Sequence, residues 1–231
     1  SVGNRFYGCR AWNNSDDGWD FINSYVPVTV ENCWAAYSGY NEGRSTGDGS
    51  GFKLGGYGGT AASKVPVPAP RHVLRGSLAV GNKQSGLYAN HHTGGCDWFY
   101  NSAYRNKRNV NMLSRPADNG NDHPGQDHVL ENNLSYKGGM SPELHNTHLK
   151  KCTLKNNSFD LQNTPSTKDF ISLDEDQIKR PRKEDGSLPD ITLMVPKKGS
   201  PYEGLGCSSY ERASPKKVKK GWRESIPRER G

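Results

Sequence analysis

The chain has 231 residues, of which 32% are hydrophobic, with 27 glycines and a formal net charge of +7. This composition argues against a helical bundle and favours many short strands joined by turns. No apolar run approaches the roughly 18 residues that a membrane span needs, and no nucleic-acid-binding module is recognisable. We therefore expect neither a membrane nor a nucleic acid as partner.

The first polar cluster lies in NNSDDGWDFINS (13–24), where Asp16, Asp17 and Asp20 fall within five positions. Carboxylates this close repel one another unless water screens them or a cation lies between them. Together with the oxygen-bearing residues 13–15, they suit a hard cation such as calcium, which takes six to eight oxygen ligands. An acidic, solvated turn is the alternative interpretation.

A degenerate repeat continues from this cluster along the chain. The segments CRAWNN, CWAAYS, SLAVGN, NSAYRN and NLSYKG align, with a small residue at Ala11, Ala35, Ala79, Ala103 and Ser135. The intervals of 24, 44, 24 and 32 residues indicate a unit near 24 with loops inserted. A strand-rich start and Gly/Asn-rich turns in each unit predict an all-β fold, a parallel β-helix of about five coils over residues 1–160. A β-sandwich, with hairpins every 8–12 residues, fits this spacing less well.

Stacked coils place equivalent positions about 4.8 Å apart. The alignment predicts an outward column of Asp20, Lys53, Tyr88 and Met112. It predicts a core-facing column of Trp19, Phe52, Leu87 and Asn111. Lys53 would then lie one coil above Asp20, where a neighbouring cation and partial burial would lower its pKa and make it a usable general base. A surface lysine that pairs with Asp20 is the alternative.

The next coil carries four candidate sugar-binding residues, Tyr88, Asn90, His91 and His92. Adjacent residues on a strand point to opposite faces, so at most one of the two histidines faces a groove, and joint zinc ligation is disfavoured. Surface or satisfied histidines are the alternative. Insertions at 39–50 and 57–70 would form loops along a cleft.

The C-terminal part divides in two. Residues 161–206 are expected to pack on the β-helix, and residues 207–231 to form a basic, disordered tail, since 214–231 alone carry a net charge of +5 from seven Lys/Arg and two Glu. The five cysteines are an odd number without a CxxC pair, which disfavours a zinc site and leaves one disulfide open.

Three segments together resemble the active-site coils of polysaccharide lyase family 9: WNNSDDGWDF, VTVENCWAAYSGYN and GDGSGFKLGG. The likeness runs from about residue 5 to residue 193, and the family's pectate lyases and related lyases are right-handed parallel β-helices. The resemblance implies calcium ligands at Asp16, Asp17 and Asp20 and a catalytic base at Lys53. It also implies a further calcium-binding Asp on a preceding coil, so we expect a C-terminal fragment whose N-terminal coils are missing.

The same resemblance implies a calcium-dependent lyase that cleaves galacturonate-containing pectin by β-elimination, with either polygalacturonate or rhamnogalacturonan I as substrate. An acidic polysaccharide partner implies a secreted or periplasmic enzyme, although the chain has no signal peptide, and we expect a monomer. A non-catalytic carbohydrate-binding or adhesin-like β-helix is the alternative. A glycosidase with paired carboxylates would give Lys53 no role.

Overall fold

The structure, a computed structural model, describes residues 3–115 and 120–213. Most strands form three parallel sheets. The first sheet contains β1 (Asn4–Tyr7), β4 (Val28–Glu31), β9 (Val73–Arg75), β12 (Asp97–Phe99), β17 (Val129–Glu131) and β20 (Thr153–Lys155). The second contains β2 (Arg10–Trp12), β5 (Trp34–Ala36), β10 (Leu78–Val80), β13 (Ser102–Tyr104) and β18 (Leu134–Tyr136). The third contains β3 (Trp19–Asp20), β8 (Phe52–Lys53), β11 (Ser85–Tyr88), β14 (Arg108–Asn111) and β19 (Leu144–His145).

Each coil contributes one strand to each sheet, so the predicted all-β parallel β-helix is confirmed. The column of small residues is also confirmed, because Ala35 pairs with both Ala11 and Ala79, and Ala103 pairs with Ala79 and Ser135. The first sheet has six strands, so one strand, β20, lies beyond the five predicted units. Two antiparallel hairpins leave this framework, β6 (Tyr40–Asn41) with β7 (Arg44–Ser45), and β15 (Leu113–Ser114) with β16 (His123–Pro124).

The predicted register is correct for three coils and wrong for the fourth. Lys53 pairs with both Asp20 and Tyr88, but the partner of Tyr88 is Asn111 rather than Met112. The turn before β14 is one residue shorter than the turn before β11, which moves every later position of that coil by one. Met112 is therefore fully buried in the core, and Asn111 takes the place predicted for it in the outward column.

Stacked apolar side chains fill the interior of the coils. The rings of Trp19 and Phe52 lie 6.2 Å apart and nearly parallel, and Leu87 and Val110 continue the same inward column. Fully buried Trp98 packs in the same cluster. Because each coil buries this face only against its neighbours, the stack rather than any single coil is the stable unit.

Ladders of stacked asparagines hydrogen-bond the buried backbone groups at the turns. The amide Nδ2 of Asn101 donates to Oδ1 of Asn133 at 3.0 Å, and Asn133 donates in the same way to Asn157 at 2.8 Å. Asn101 and Asn133 also donate to backbone carbonyls. An amide both donates and accepts, so the same residue type can repeat from coil to coil with its hydrogen bonds fulfilled.

The segment after the coils packs on the outer face of the second sheet. Phe170, Ile178, Leu193 and Tyr202 are buried there in one cluster with Tyr104. Short 3₁₀ helices cover Ala62–Lys64, Leu149–Lys151, Thr167–Asp169 and Glu175–Lys179, and the one α-helix in the described part, α1, covers Cys207–Ala213. The first seven residues of the predicted disordered tail, 207–213, form this helix instead. Residues 214–231 of the predicted tail fall outside the described residues.

All five cysteines lie in the described part of the chain and none forms a disulfide, and Cys33 and Cys96 are buried. Across 3–115 and 120–213, no helix has the length and apolar character needed to traverse a lipid bilayer.

Candidate functional site

The outward column of the third sheet brings a lysine into a group of carboxylates. The Nζ atom of Lys53 lies 2.6 Å from Oδ2 of Asp17, 3.5 Å from Oδ2 of Asp20 and 3.4 Å from Oδ2 of Asp48. Lys53 and Asp20 are paired residues on adjacent strands, so the parallel register itself fixes their proximity. The side chains of Lys53 and Asp17 are buried, whereas that of Asp48 is 78% exposed.

Backbone donors from the second coil hold the carboxylates of the first. The N–H of Ser50 donates to Oδ1 of Asp17, and the N–H of Asp48 donates to Oδ1 of Asp16, both at 2.6 Å. The backbone of Gly47 also donates to the carbonyl of Ser15 at 2.8 Å. A side chain at Gly47 would collide with the Asp16 carboxylate, so glycine lets the loop approach this closely.

Asp48 belongs to the cluster, and sequence reasoning missed it. It lies five residues before Lys53 in GDGSGFKLGG, within the insertion that precedes β8. The repeat alignment gave no signal for it, because the inserted residues have no equivalent in the other coils. The family resemblance implied a further acidic residue from a preceding coil; the fourth carboxylate described here, Asp48, comes from the following coil.

The aspartates around Lys53 favour the protonated form of its amine. Burial opposes a charge on Lys53, but the hydrogen bond to Asp17 and the charges of Asp20 and Asp48 outweigh it, so the pKa of Lys53 is raised. Burial also raises the pKa of Asp17, although the hydrogen bonds from Lys53 and Ser50 oppose that effect. The expected lowering of the lysine pKa depended on a neighbouring cation. Without a cation, the pKa of Lys53 is raised instead of lowered.

The donor set suits a hard cation. Asp16, Asp17, Asp20 and Asp48 offer carboxylate oxygens, and one ammonium group leaves the cluster with three excess negative charges. Calcium accepts oxygen ligands in irregular arrangements and tolerates waters among them. Within the ranges described, no three acidic, His or Cys side chains already surround a common metal position. Asp17, Asp20 and Asp48 instead converge on the Lys53 amine, so metal binding would require these three carboxylates to share or exchange that partner.

Tyr88 continues the outward column after Lys53, and His91 lies beside it. Tyr88 is 9% exposed, and its hydroxyl lies 3.3 Å from both ring nitrogens of His91. His91 also lies 3.6 Å from Asp122. Both residues are therefore close to the outer face on which Lys53 lies.

Asn90 and His92 do not face this side. Asn90 is buried and donates to the carbonyl of Gly55 at 2.7 Å. His92 is 1% exposed, accepts from the N–H of Gly56 and bonds the carbonyl of Pro70 at 2.9 Å. Their hydrogen bonds support the turn and core, so their geometry does not fit the sugar-binding role predicted for them.

Comparisons with known proteins agree with this architecture. A family model described as "Pel9A-like, right handed beta helix region" matches residues 1–123. Pectate lyase L of Dickeya dadantii is 35% identical over 195 residues, which cover 83% of this chain and 41% of the relative. The chain thus spans less than half the length of this curated relative.

Two solved structures share the fold. A rhamnogalacturonan lyase superposes with a TM-score of 0.80 at 40% identity, covering 89% of this chain and 50% of that protein. Pectate lyase Pel9A superposes with a TM-score of 0.67 at 33% identity, covering 85% and 44% respectively.

Proposed function

The chain belongs to the Pel9A-like right-handed β-helix family, and we propose that it carries the reaction centre of a calcium-dependent polysaccharide lyase. The substrate is galacturonate-containing pectin, either polygalacturonate or rhamnogalacturonan I, cleaved by β-elimination. The observation that carries this proposal is the position of the Lys53 amine within 3.5 Å of three aspartates. The names of the similar lyases support the same class of substrate.

Asp16, Asp17, Asp20 and Asp48 are the residues that would hold calcium. Calcium held there would supply Lewis acidity beside the uronate of the substrate, which would make the hydrogen at C5 more acidic. Backbone hydrogen bonds keep Asp16 and Asp17 oriented, so the change that an ion would require at Asp17 is to share or exchange its Lys53 partner.

Lys53 is the proposed general base. If these carboxylates also held a divalent cation, Lys53 would hold its proton less tightly, and its neutral amine could accept one. Lys53 then takes the C5 proton, and the electron pair of the C5–H bond forms the C4–C5 double bond. The O4 leaving group departs with its bonding electrons and takes a proton from solvent. One product carries an unsaturated uronate at its new non-reducing end, and no water is consumed.

A non-catalytic β-helix that binds carbohydrate is the second candidate. The observation in its favour is the raised pKa of Lys53, which describes an ion pair rather than a base. The two candidates differ in what calcium does. A lyase needs calcium for turnover. A binding module would use calcium, if it uses it at all, only to bind its ligand.

Ultraviolet absorbance of the unsaturated uronide tests the proposal. The full-length protein is incubated with polygalacturonate and with rhamnogalacturonan I, with calcium and with chelator, alongside Lys53→Ala. We expect absorbance to rise only for the unmodified protein with calcium. No signal from either polymer would refute the enzyme proposal and leave the binding module. Because the substrate is an extracellular polymer, we also propose secretion or export to the periplasm. The protein is proposed to be a monomer.

A further inference from the structure

Lys83, in the turn between β10 and β11 of the third coil, binds the loop that carries Asp48. Its Nζ atom donates to the carbonyl of Gly47 at 2.6 Å and to the carbonyl of Thr46 at 3.3 Å. Both acceptors are backbone oxygens of the segment that links the β6–β7 hairpin to β8. A charged amine makes a stronger hydrogen bond than a neutral donor, so Lys83 holds this segment from the neighbouring coil.

The aliphatic stem of Lys83 packs against the base of the same loop. A Cβ atom at Gly39 would lie 2.8 Å from Cβ of Lys83 and 2.6 Å from Cα of Gly49. A Cβ atom at Gly49 would likewise lie 2.8 Å from Cβ of Lys83. Both glycines have a positive φ, of 90° and 77°. The loop therefore closes at two positions where glycine is required, and the Lys83 stem lies against both.

A single peptide unit joins Lys83 to the carboxylate cluster. The Gly47 carbonyl accepts from Lys83, and the Asp48 N–H at the other end of the same peptide donates to Oδ1 of Asp16 at 2.6 Å. Because a peptide unit is planar, these two contacts together fix its orientation. The ammonium and the carboxylate also polarise the peptide in the same direction, which strengthens both hydrogen bonds.

The carboxylate of Asp48 depends on that peptide for its position. The Asp48 side chain is 78% exposed, so packing does not hold it where it lies, 3.4 Å from the Lys53 amine. Rotation of the Gly47–Asp48 peptide would move this carboxylate and would release Asp16 at the same time. The first coil holds the peptide on one side, and Lys83 holds it on the other.

We propose that Lys83 is a positioning residue for the proposed calcium site. Through the Gly47–Asp48 peptide, Lys83 keeps two of the four carboxylates, Asp16 and Asp48, in the arrangement that would accept the ion. Lys83 acts through the backbone and contacts neither the ion nor the reacting sugar. This inference rests on the proposed lyase function, because calcium enters only through that proposal.

A role in binding polysaccharide is the competing explanation for Lys83. It also lines a cavity of about 640 Å³ with three other cations, Arg105, Lys107 and Lys137, and with Glu175, which pairs with Arg105 at 2.8 Å. Removal of a cation that bound polysaccharide there would raise KM for the polymer and leave calcium affinity as it is. Lys107 is the matched control, because it is an exposed lysine of the same cavity on the next coil.

Calorimetric titration of the full-length protein with calcium tests the inference. Lys83→Met removes the ammonium and keeps an unbranched stem against the two glycines. We expect it to raise the calcium Kd about tenfold, since loss of a group that orients metal ligands typically costs 10- to 100-fold in affinity. Lys83→Arg retains a charged N–H donor and should recover part of the loss, and Lys107→Ala should match the unmodified protein.

The sign of the change identifies its cause. Removal of a positive charge near the carboxylates would by itself strengthen calcium binding, so weaker binding by Lys83→Met reports the lost contact with the loop. Equal or tighter binding overturns the inference. In the lyase assay, Lys83→Met should be slow at limiting calcium and recover at saturating calcium. A raised KM for the polymer that persists at saturating calcium overturns the inference in favour of substrate binding.

Hydrogen exchange of residues 46–50 without calcium separates this inference from the lyase proposal, because it requires neither metal nor turnover. Faster exchange in Lys83→Met than in the unmodified protein and Lys107→Ala supports the role of Lys83 in holding the loop, even if no polymer is cleaved. Equal exchange in all three proteins overturns it. An unmodified protein that forms no unsaturated uronide refutes the lyase proposal, and the exchange rates still decide whether Lys83 holds the Gly47–Asp48 peptide.

Discussion

The Nζ atom of Lys53 lies 2.6 Å from Oδ2 of Asp17, and the two side chains are only 10% and 4% exposed. Removing one partner of a buried ion pair this close destabilises the fold, because the remaining charge is left buried without a partner. The same amine also contacts Asp20 and Asp48. Lys53 is therefore both a structural counter-ion and the proposed base, and the two roles give different experimental signatures.

Replacing Lys53 by Ala should abolish formation of unsaturated uronide. Loss of a general base lowers kcat by roughly 10² to 10⁴-fold, and Lys53→Arg should also be inactive because its guanidinium does not deprotonate. The measurement is initial rate by ultraviolet absorbance at saturating calcium. Exposed Lys64→Ala serves as the control and should match the unmodified protein. Substantial turnover by Lys53→Arg would contradict the assignment of the base.

Calcium should raise the melting temperature, and chelator should reverse the effect. An ion that binds only the folded state stabilises it by about 2.7 kcal/mol at a hundred times its Kd. Asp20→Asn should weaken the response because it removes one carboxylate beside Lys53. Glu42→Gln, in the exposed β6–β7 hairpin, is the matched acidic control. If the melting temperature of the unmodified protein does not change with calcium, calcium binding to the folded state is refuted.

Asn101→Ala should strongly destabilise the fold. The Asn101 side chain accepts from the N–H of Ser77 and donates to the carbonyl of Leu74 and to Asn133, all within the buried turn. Leaving such groups unsatisfied costs about 1–3 kcal/mol each, so urea denaturation should show a loss of roughly 2–4 kcal/mol. Asn156→Ala, which removes one exposed amide contact, should cost far less. Similar losses in both variants would argue against the ladder as a stabilising element.

Acid should destabilise the protein through its core histidines. Burial lowers the pKa of His72 and of His92 to about 4, and that of His128 to about 3. In the unfolded chain these rings titrate near 6.5. Between those values the unfolded state binds protons that the folded state does not, so the free energy of unfolding falls as pH drops from about 6.5 towards 4.

Urea denaturation at several pH values measures this slope. His128→Asn removes one buried ring, so the pH dependence should decrease by up to about 1.4 kcal/mol per pH unit. Exposed His123→Asn is the control and should leave the slope as it is. An unchanged slope in His128→Asn would show that His128 is not among the groups that confer acid lability.

The sequence predicted the parts of the fold that depend on strict repetition. The small-residue column and the Asp20–Lys53–Tyr88 register follow from equal strand-to-strand spacing, and both were correct. The error at Met112 came from a turn shortened by one residue, which neither composition nor periodicity reveals.

The candidate site was predicted less completely than the fold. Asn90 and His91 adopt left-handed backbone, with φ of 52° and 60°. Strand alternation therefore fails there, and the inward direction of His92 could not be read from it. Asp48 was missed because its place depends on how the loop folds back.

The loop that carries Asp48 leaves the coil after β5 and returns before β8 without changing the pairing on either side. Loop-closure entropy grows only slowly with length, so the scaffold tolerates many alternative sequences between these two strands. The β6–β7 hairpin is consequently an exchangeable module. Transplanting hairpins from other β-helices in place of residues 40–45 would vary the wall above the reaction centre while keeping Gly47 and Asp48 in place, which makes this segment the natural site for directed evolution of substrate choice.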